Sequence, residues 1–357
     1  MCQRDPVQCI IPPYITERLQ RSDDAEIRAR AEANLVAAAT MRAARAREQV
    51  SHELLAPPPA KQAKHRLLYD ARGRDQLPGT LVRSEGQPEV ADPAVNEAYD
   101  HAGATYDFYE TVFKRNSLDG NGLTLVGSVH VGESDGRGRY VSLDNAFWDG
   151  KQMAYGDGDG VIFQRFTRSL DVVGHELTHG VQSYTSNLEY EGQSGALNEH
   201  FADVFGILVR QWKNNEPAAR SDWLIGREVL VAAPTRRAVR DMQHPGTAFM
   251  SDKYLGTDPQ PEHMSKLYEG QSDNGGVHIN SGIPNRAFVL AAKAIGGNAW
   301  DVTGRIWFDT MLRLPKRAQF QECADTCVEV AAAIGADAAR AVSTAWANVG
   351  VARKVYA

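Results

Sequence analysis

A chain of 357 residues is too long for one small core and suits two domains of ordinary size, and its 43% hydrophobic content is that of a globular protein. A net charge of −6 gives no reason to expect nucleic acid or an anionic membrane as partner, and no run approaches the ~18 apolar residues that span a bilayer. Four cysteines, at 2, 9, 323 and 327, are too few and too clustered for a disulfide framework.

The N-terminus, MCQRDPVQCIIPPYITERLQ, has charges and prolines where a signal peptide needs an unbroken apolar core of at least ~7 residues, so no export signal is visible. Residues 1 to 55 form a separate block. From Asp23 to Glu53 it is rich in Ala, Arg and Glu, which predicts a helix with Ser22 as its cap. Its thin apolar content makes it marginal alone, so it must pack on something larger. Pro57-Pro58-Pro59 ends it, and the polar stretch to His65 reads as an exposed linker open to cleavage.

Leu67 to Arg83 reads as short strands and turns. Asp92-Pro93 opens a helix running to Arg115, with Tyr99, Tyr106, Phe108, Tyr109 and Phe113 as a core-facing aromatic stripe. Leu123 to Val131, Arg139 to Leu143 and the stretch around Met153 to Tyr155 predict an antiparallel sheet. Tyr155 to Gly160, YGDGDG, is a tight turn whose carboxylates could hold a cation, but no EF-hand spacing follows. Tyr184 to Ser194 is polar and crosses to a second, all-helical lobe. Its helices are predicted over Ser281 to Ile295, Ala299 to Leu312, Arg317 to Ile334 and Ala336 to Asn348, with Cys323 and Cys327 in packing roles.

Between the two halves lies His175-Glu176-Leu177-Thr178-His179. On a helix, positions four apart share a face, so both imidazoles reach a common spot with Glu176 beside them, the geometry of two zinc ligands and a general base. Alone, this short pattern also fits two satisfied histidines on a buried helix. Gly195 to Asp203 adds weight, because its helical spacing puts Glu199 and Asp203 on one face. Glu199 can complete a site of two His and one Glu that leaves a position for water. Asp203 and Asn198 are suitably placed to accept the remaining imidazole N–H groups.

These strings, together with NAFW at Asn145 to Trp148, YGDGDG, GALNE at Gly195 to Glu199 and DNGGVHINSG at Asp273 to Gly282, resemble the thermolysin family of zinc neutral proteases. The resemblance covers roughly Leu67 to Val351, and Ile11-Pro12-Pro13-Tyr14 is similar to the short propeptide of the protealysin branch. It implies an α+β fold of two lobes: a propeptide at 1-60, a sheet-rich catalytic lobe at 61-190 ending in the zinc helix, and a helical lobe at 191-357. The implied activity is a zinc endopeptidase made as a zymogen, cutting on the N-terminal side of hydrophobic residues by metal-activated water.

The resemblance also implies roles. Glu176 is the general base, with His278 and Tyr190 as donors to the developing oxyanion and Asp273 orienting His278. Read without it, His278 is a satisfied core or surface histidine. Asn145 and Ala146 match the edge strand that pairs with substrate backbone, and Arg240 the arginine that contacts the carbonyl after the scissile bond. Phe163, Phe166, Val172, Ile225, Val229 and Val239 match an all-apolar specificity pocket, worth ~1 to 3 kcal/mol per well-placed substrate group.

A paired calcium site expected in such proteins falls here on Asp171, Arg210, Asp222, Leu224 and Arg227. Two arginines among two acids predict that the ion is lost and replaced by protein cations. Cys9 is placed either to block the cleft sterically or to ligate zinc as its thiolate in the precursor. The partners implied are protein and peptide substrates and the chain's own propeptide, with no nucleic acid and no membrane. The family is mostly secreted, whereas the N-terminus places the start of the chain in the cytoplasm. A zinc aminopeptidase fits the same ligand spacing but lacks a GAMEN-like string, and an inactive relative is expected to have lost Glu176, Tyr190 or His278, all of which stand.

Overall fold

The computed structural model describes residues 9–35, 63–134 and 139–351. The N-terminal block opens with the short helix α1, Pro13–Leu19, followed by α2 from residue 25 to 35. The expected helix from Asp23 thus begins within two residues of its predicted start, and its continuation to Glu53, Cys2 and the Pro57–Pro59 linker all lie outside the described residues. Ile10, Ile11, Ile15, Leu19, Ile27 and Ala31 are buried in the main apolar core, so the block is packed onto the body of the protein as its thin apolar content requires.

The first lobe is built on a sheet of β1 (Arg66–Arg74), β2 (Thr80–Ser84), β3 (Leu125–Ser134), β4 (Tyr140–Ser142), β5 (Ala146–Trp148) and β6 (Met153–Tyr155). The order is β2-β1-β3-β6-β5, with β4 paired to β3. The sheet is mixed rather than antiparallel, because β1 with β3 and β3 with β6 run parallel. Parallel neighbours need a long crossover, and helix α3 (Pro93–Phe113) supplies it between β2 and β3. Asp92 caps α3 by accepting from Ala94 N–H at 2.9 Å, with Pro93 in the first turn as the sequence predicts.

The aromatic stripe of α3 joins the two lobes. Tyr109 lies against Phe205 at 5.9 Å between ring centroids, and Phe113 stacks on Phe308 at 4.2 Å. Each such pair adds roughly 0.5–1.5 kcal/mol to the area it buries, and one continuous core therefore runs beneath both lobes. The YGDGDG turn is held by its own side chain: Asp159 Oδ1 accepts from the N–H groups of Val161, Ile162 and Phe163 at 2.9, 2.7 and 2.8 Å.

Helix α4 (Leu170–Ser183) is followed by α5 (Gly192–Asn214), and the two cross almost backbone to backbone. A Cβ on Gly206 would sit 2.5 Å from Asp171 O and 2.9 Å from His175 N, and one on Gly174 would lie 3.1 Å from the Cα of Gly206. Only glycine permits that approach. It presses the histidine face of α4 onto the acidic face of α5.

The second lobe is helical as expected, with α6 (Ser272–Asn280), α7 (Gly282–Ile295), α8 (Val302–Met311), α9 (Phe320–Ile334) and α10 (Ala336–Asn348). Its departure from an all-helical plan is a two-stranded ribbon, β7 (Leu224–Ile225) with β8 (Arg240–Asp241), which carries two of the expected substrate-binding residues. Cys323 and Cys327 are fully buried free thiols, with no disulfide between them, in the α9 core.

Candidate active site

The crossing of α4 and α5 brings His175, His179 and Glu199 together with complete burial. The two imidazole Nε2 atoms are 3.1 Å apart, His175 Nε2 is 3.4 Å from Glu199 Oε2, and His179 Nε2 is 3.5 Å from Glu199 Oε1. The Nδ1–H of His175 donates to Asp203 Oδ1 at 2.9 Å and that of His179 to Asn198 Oδ1 at 2.8 Å. With both Nδ1 protons committed, each ring in its neutral form turns an Nε2 lone pair toward the other ring and a carboxylate.

Glu199 Oε2 meets no hydrogen-bond donor among the described residues. With both rings neutral, these converging lone pairs repel one another unless a cation lies at their centre. Two imidazole nitrogens and one carboxylate oxygen are a donor set for zinc, so the residues present fit that ion.

Glu176 flanks this centre and is fully buried. Its Oε2 accepts from the N–H of Trp148 on β5 at 3.1 Å, a contact that nothing in the sequence signalled. Burial pushes its carboxyl up to about 8, with His175 pulling the other way and Glu199 adding to the rise.

Opposite, His278 is carried by α6. Asp273 to Gly276 run in left-handed backbone, with φ of 55°, 51°, 80° and 80°, before the right-handed turns resume. Asp and Asn at positive φ cost energy that surrounding contacts must offset. The return is that Asp273 folds onto its own helix: it accepts from His278 N–H at 2.8 Å and from His278 Nδ1–H at 2.6 Å. Burial disfavours charge on His278, but Asp273 and Glu199 outweigh it and raise its pKa above the usual histidine range. Its Nε2 is 3.2 Å from the Tyr190 hydroxyl, which donates to Glu199 Oε1.

The cleft between these groups holds the N-terminal block. His278 Nε2–H donates to Cys9 O at 3.1 Å, and Arg240 Nη1–H to Ile10 O at 3.0 Å. Asn145 takes Ile11 on both sides: Ile11 N–H donates to Asn145 Oδ1 at 3.0 Å and Asn145 Nδ2–H to Ile11 O at 3.3 Å. Ile10 N–H donates to Ala146 O at 3.4 Å, and Cys9 bridges antiparallel to Phe147, so this segment adds a strand to the edge strand β5. The thiol of Cys9 donates to Ile11 O at 3.4 Å and does not join the His175, His179 and Glu199 cluster. The carbonyl of Cys9 is the atom that accepts from His278.

The same block is anchored by contacts the sequence did not suggest. Asp144, next to Asn145, accepts from Arg30 Nη2 at 3.1 Å and from Asn34 Nδ2 at 3.0 Å, and its own N–H donates to Asn34 Oδ1 at 3.0 Å.

Phe163, Phe166, Val172, Ile225, Val229 and Val239 are all buried in one apolar cluster with Ile10. Arg240 is fully buried and forks onto Asp203, with Nε to Oδ2 at 2.8 Å and Nη2 to Oδ1 at 2.7 Å. Burial opposes ionisation of Asp203, but Arg240 and His175 hold its carboxyl well below the usual range. On the far side of α4, Arg210 lies between two acids: Nη1 donates to Asp171 Oδ2 and to Leu224 O, both at 2.8 Å, and Nη2 to Asp222 Oδ1 at 2.5 Å. The exposed Arg227 reaches Asp222 Oδ2 at 3.2 Å.

Among the described residues no helix is long and apolar enough to cross a membrane. Residues 60–183 match the thermolysin metallopeptidase catalytic domain and residues 186–351 its alpha-helical domain. The chain is 46% identical over 97% of its length to an extracellular metalloprotease of Pectobacterium carotovorum subsp. carotovorum, of which it covers 97%. It is 46% identical over 80% of its length to protease PrtS of a Photorhabdus strain, covering 76% of that protein. The structure resembles the precursor of protealysin, a metalloproteinase from Serratia proteamaculans, with a TM-score of 0.84 at 44% identity over 97% of this chain and 100% of that one. A zinc-fitting centre between two lobes, each matched over nearly its whole length, makes this chain a member of the thermolysin metallopeptidase family.

Proposed function

We propose that this zinc endopeptidase, made as a zymogen, holds its metal with His175, His179 and Glu199, uses Glu176 as general base, and is kept latent by its propeptide at 1-60, of which Cys9, Ile10 and Ile11 lie in the cleft as a substrate does. The observation that carries the reading is the convergence of His175, His179 and Glu199 in a fully buried centre, with both Nδ1 atoms tied to Asp203 and Asn198. Zinc bound there supplies a Lewis acid that polarises a carbonyl and brings a water's pKa near 7.

Glu176 accepts the proton of the attacking water and passes it to the leaving nitrogen. His278, oriented by Asp273, and Tyr190 donate to the oxygen that gains charge. Asn145, Ala146 and Arg240 hold the substrate backbone, as they hold Ile10 and Ile11 in the precursor. The apolar set of Phe163, Phe166, Val172, Ile225, Val229 and Val239 selects a hydrophobic residue just after the scissile bond; by its backbone contacts, with Cys9 O on His278 and Ile10 O on Arg240, Ile10 stands at that position.

The lobes divide at 61-190 and 191-357. Calcium is replaced at the Asp171 and Asp222 site by Arg210, with Arg227 assisting. The enzyme acts outside the cell, on protein and peptide substrates, without nucleic acid or membrane as partner, a reading supported by the extracellular relative.

The test is cleavage by the zinc-loaded enzyme freed of its prosegment. A peptide blocked at both ends, with Leu or Phe after an internal bond, should be cut at that bond. Cutting only of unblocked N-termini would favour an aminopeptidase, and no cutting at all with zinc bound would leave an inactive relative.

A further inference from the structure

Behind His175, on the side away from the cleft, hydrogen bonds lead from the helical lobe to the ligand centre. Trp307 on α8 is fully buried, and its indole Nε1–H donates to Nε2 of His200 at 2.8 Å. An indole N–H can only donate, so Nε2 of His200 must accept. A protonated imidazole offers no acceptor, so the ring is neutral and its one proton sits on Nδ1. That proton goes to Asn285 Oδ1 at 2.8 Å. With its oxygen so used, Asn285 turns its amide nitrogen the other way and donates to Asp203 Oδ2 at 2.9 Å.

Asp203 is the meeting point. Its Oδ1 accepts from His175 and from Arg240 Nη2, and its Oδ2 from Arg240 Nε and from Asn285. Four donors saturate it, two on each oxygen. Trp307, His200, Asn285 and Asp203 are each 0% exposed, so no solvent can substitute for a missing link.

We propose that Trp307, His200 and Asn285 are positioning residues: a one-directional hydrogen-bond chain that fixes the carboxylate of Asp203 and, through it, both the His175 imidazole and the Arg240 guanidinium. This rests on the reading of His175 as a zinc ligand. The direction of the chain is what matters. Were the His200 proton on Nε2, it would oppose the indole proton. Asn285 would then donate to the bare Nδ1 and turn its oxygen toward the Asp203 carboxylate, placing two acceptors face to face. A tryptophan two helices away thus decides which side of an amide the metal centre's carboxylate meets.

The core provides a matched control. Trp346 lies nearly parallel to Trp307 at 6.4 Å and 5°, is equally buried, and its indole N–H meets no acceptor among the described residues. Trp307→Phe and Trp346→Phe remove the same volume from the same stack, but only the first breaks the chain. In the zinc-loaded full-length protein, Trp307→Phe should release zinc to a chromogenic chelator about tenfold faster than Trp346→Phe, the scale of a lost outer partner of a ligand. The visible spectrum of the cobalt-substituted protein should shift in Trp307→Phe alone. The ring ¹⁵N shifts of His200 should report the Nδ1–H tautomer in wild type and Trp346→Phe, and its loss in Trp307→Phe.

Should Trp307→Phe fail to fold, Asn285→Leu, close in size and lacking both donor and acceptor, carries the same comparison. Equal zinc release and equal cobalt spectra across the variants would overturn the chain while leaving the ligand set standing. A wild-type protein that binds no zinc would overturn the ligand set, and the chain with it.

Discussion

Asn34 and Asp144 bond to each other twice: Asn34 Nδ2–H donates to Asp144 Oδ2 at 3.0 Å, and Asp144 N–H to Asn34 Oδ1 at 3.0 Å. The prosegment therefore reads backbone and side chain of the residue just before the edge strand. Asn34→Leu should remove both bonds and leave Asp144 with Arg30 alone. The loss, about 1.5–3 kcal/mol for bonds that include a charged group, should raise the inhibition constant of the prosegment by roughly tenfold or more. Titration of the mature enzyme with prosegment peptides measures it, and an unchanged constant would remove Asn34 from the latch.

Glu176→Gln should keep zinc at one per chain and lose nearly all turnover, because the amide cannot accept the proton of the attacking water while the three ligands are untouched. Metal content and turnover of a blocked peptide, measured on the same preparation, check it. Substantial turnover at saturating zinc would remove Glu176 from the role of base.

At the Asp171 and Asp222 site the expected response to calcium is indifference. The unfolding temperature of the zinc-loaded mature enzyme should not move with millimolar calcium, since Arg210 already neutralises Asp171 and Asp222. Arg210→Ala leaves Asp171 buried without its partner and should cost roughly 3–5 kcal/mol. A large calcium-dependent rise in the wild-type unfolding temperature would refute the replacement.

A pH dependence resides outside the His175, His179 and Glu199 cluster. His130 lies between Asp157, 2.8 Å from Nδ1, and Asp92, 2.6 Å from Nε2. The bond to Asp157, opposed by burial and aided by Asp92, lifts its pKa to about 9. A histidine raised on folding contributes stability that is whole below its unfolded pKa of ~6.5 and is lost as pH climbs through the folded value. The pair is partly exposed and screened, so about 1 kcal/mol should disappear between those limits. Denaturant unfolding of wild type and His130→Asn at pH 6 and pH 9.5 checks it. The stability gap between the two proteins should narrow at the higher pH, and a gap independent of pH would exclude this origin.

The convergence of His175, His179 and Glu199 was legible because the pattern repeats on helical spacing: two histidines four apart and two carboxylates four apart need only the pitch of a helix to converge. Strand direction was not legible. Alternation in Leu125–Ser134 says which residues face the core but not which way the neighbour runs, and β1 with β3 proved parallel. The ribbon of β7 and β8 is too short to leave a periodic trace. In DNGGVHINSG the Asn-Gly-Gly run hinted at special backbone, but four left-handed residues folding Asp273 back onto His278 is a three-dimensional outcome. That the Cys9 carbonyl accepts from His278 could not be read either, because a sequence carries no orientation.

Cys9, Ile10 and Ile11 draw on His278, Arg240, Asn145 and Ala146, the groups assigned to substrates. Latency and affinity are then tied in inheritance. A mutation that sharpens the cleft's grip on its targets also tightens the lock, and one that loosens the lock dulls the grip, unless the prosegment changes in step. Selection on this enzyme therefore acts on both segments together, and a prosegment exchanged between relatives should inhibit best where the cleft it evolved with has changed least.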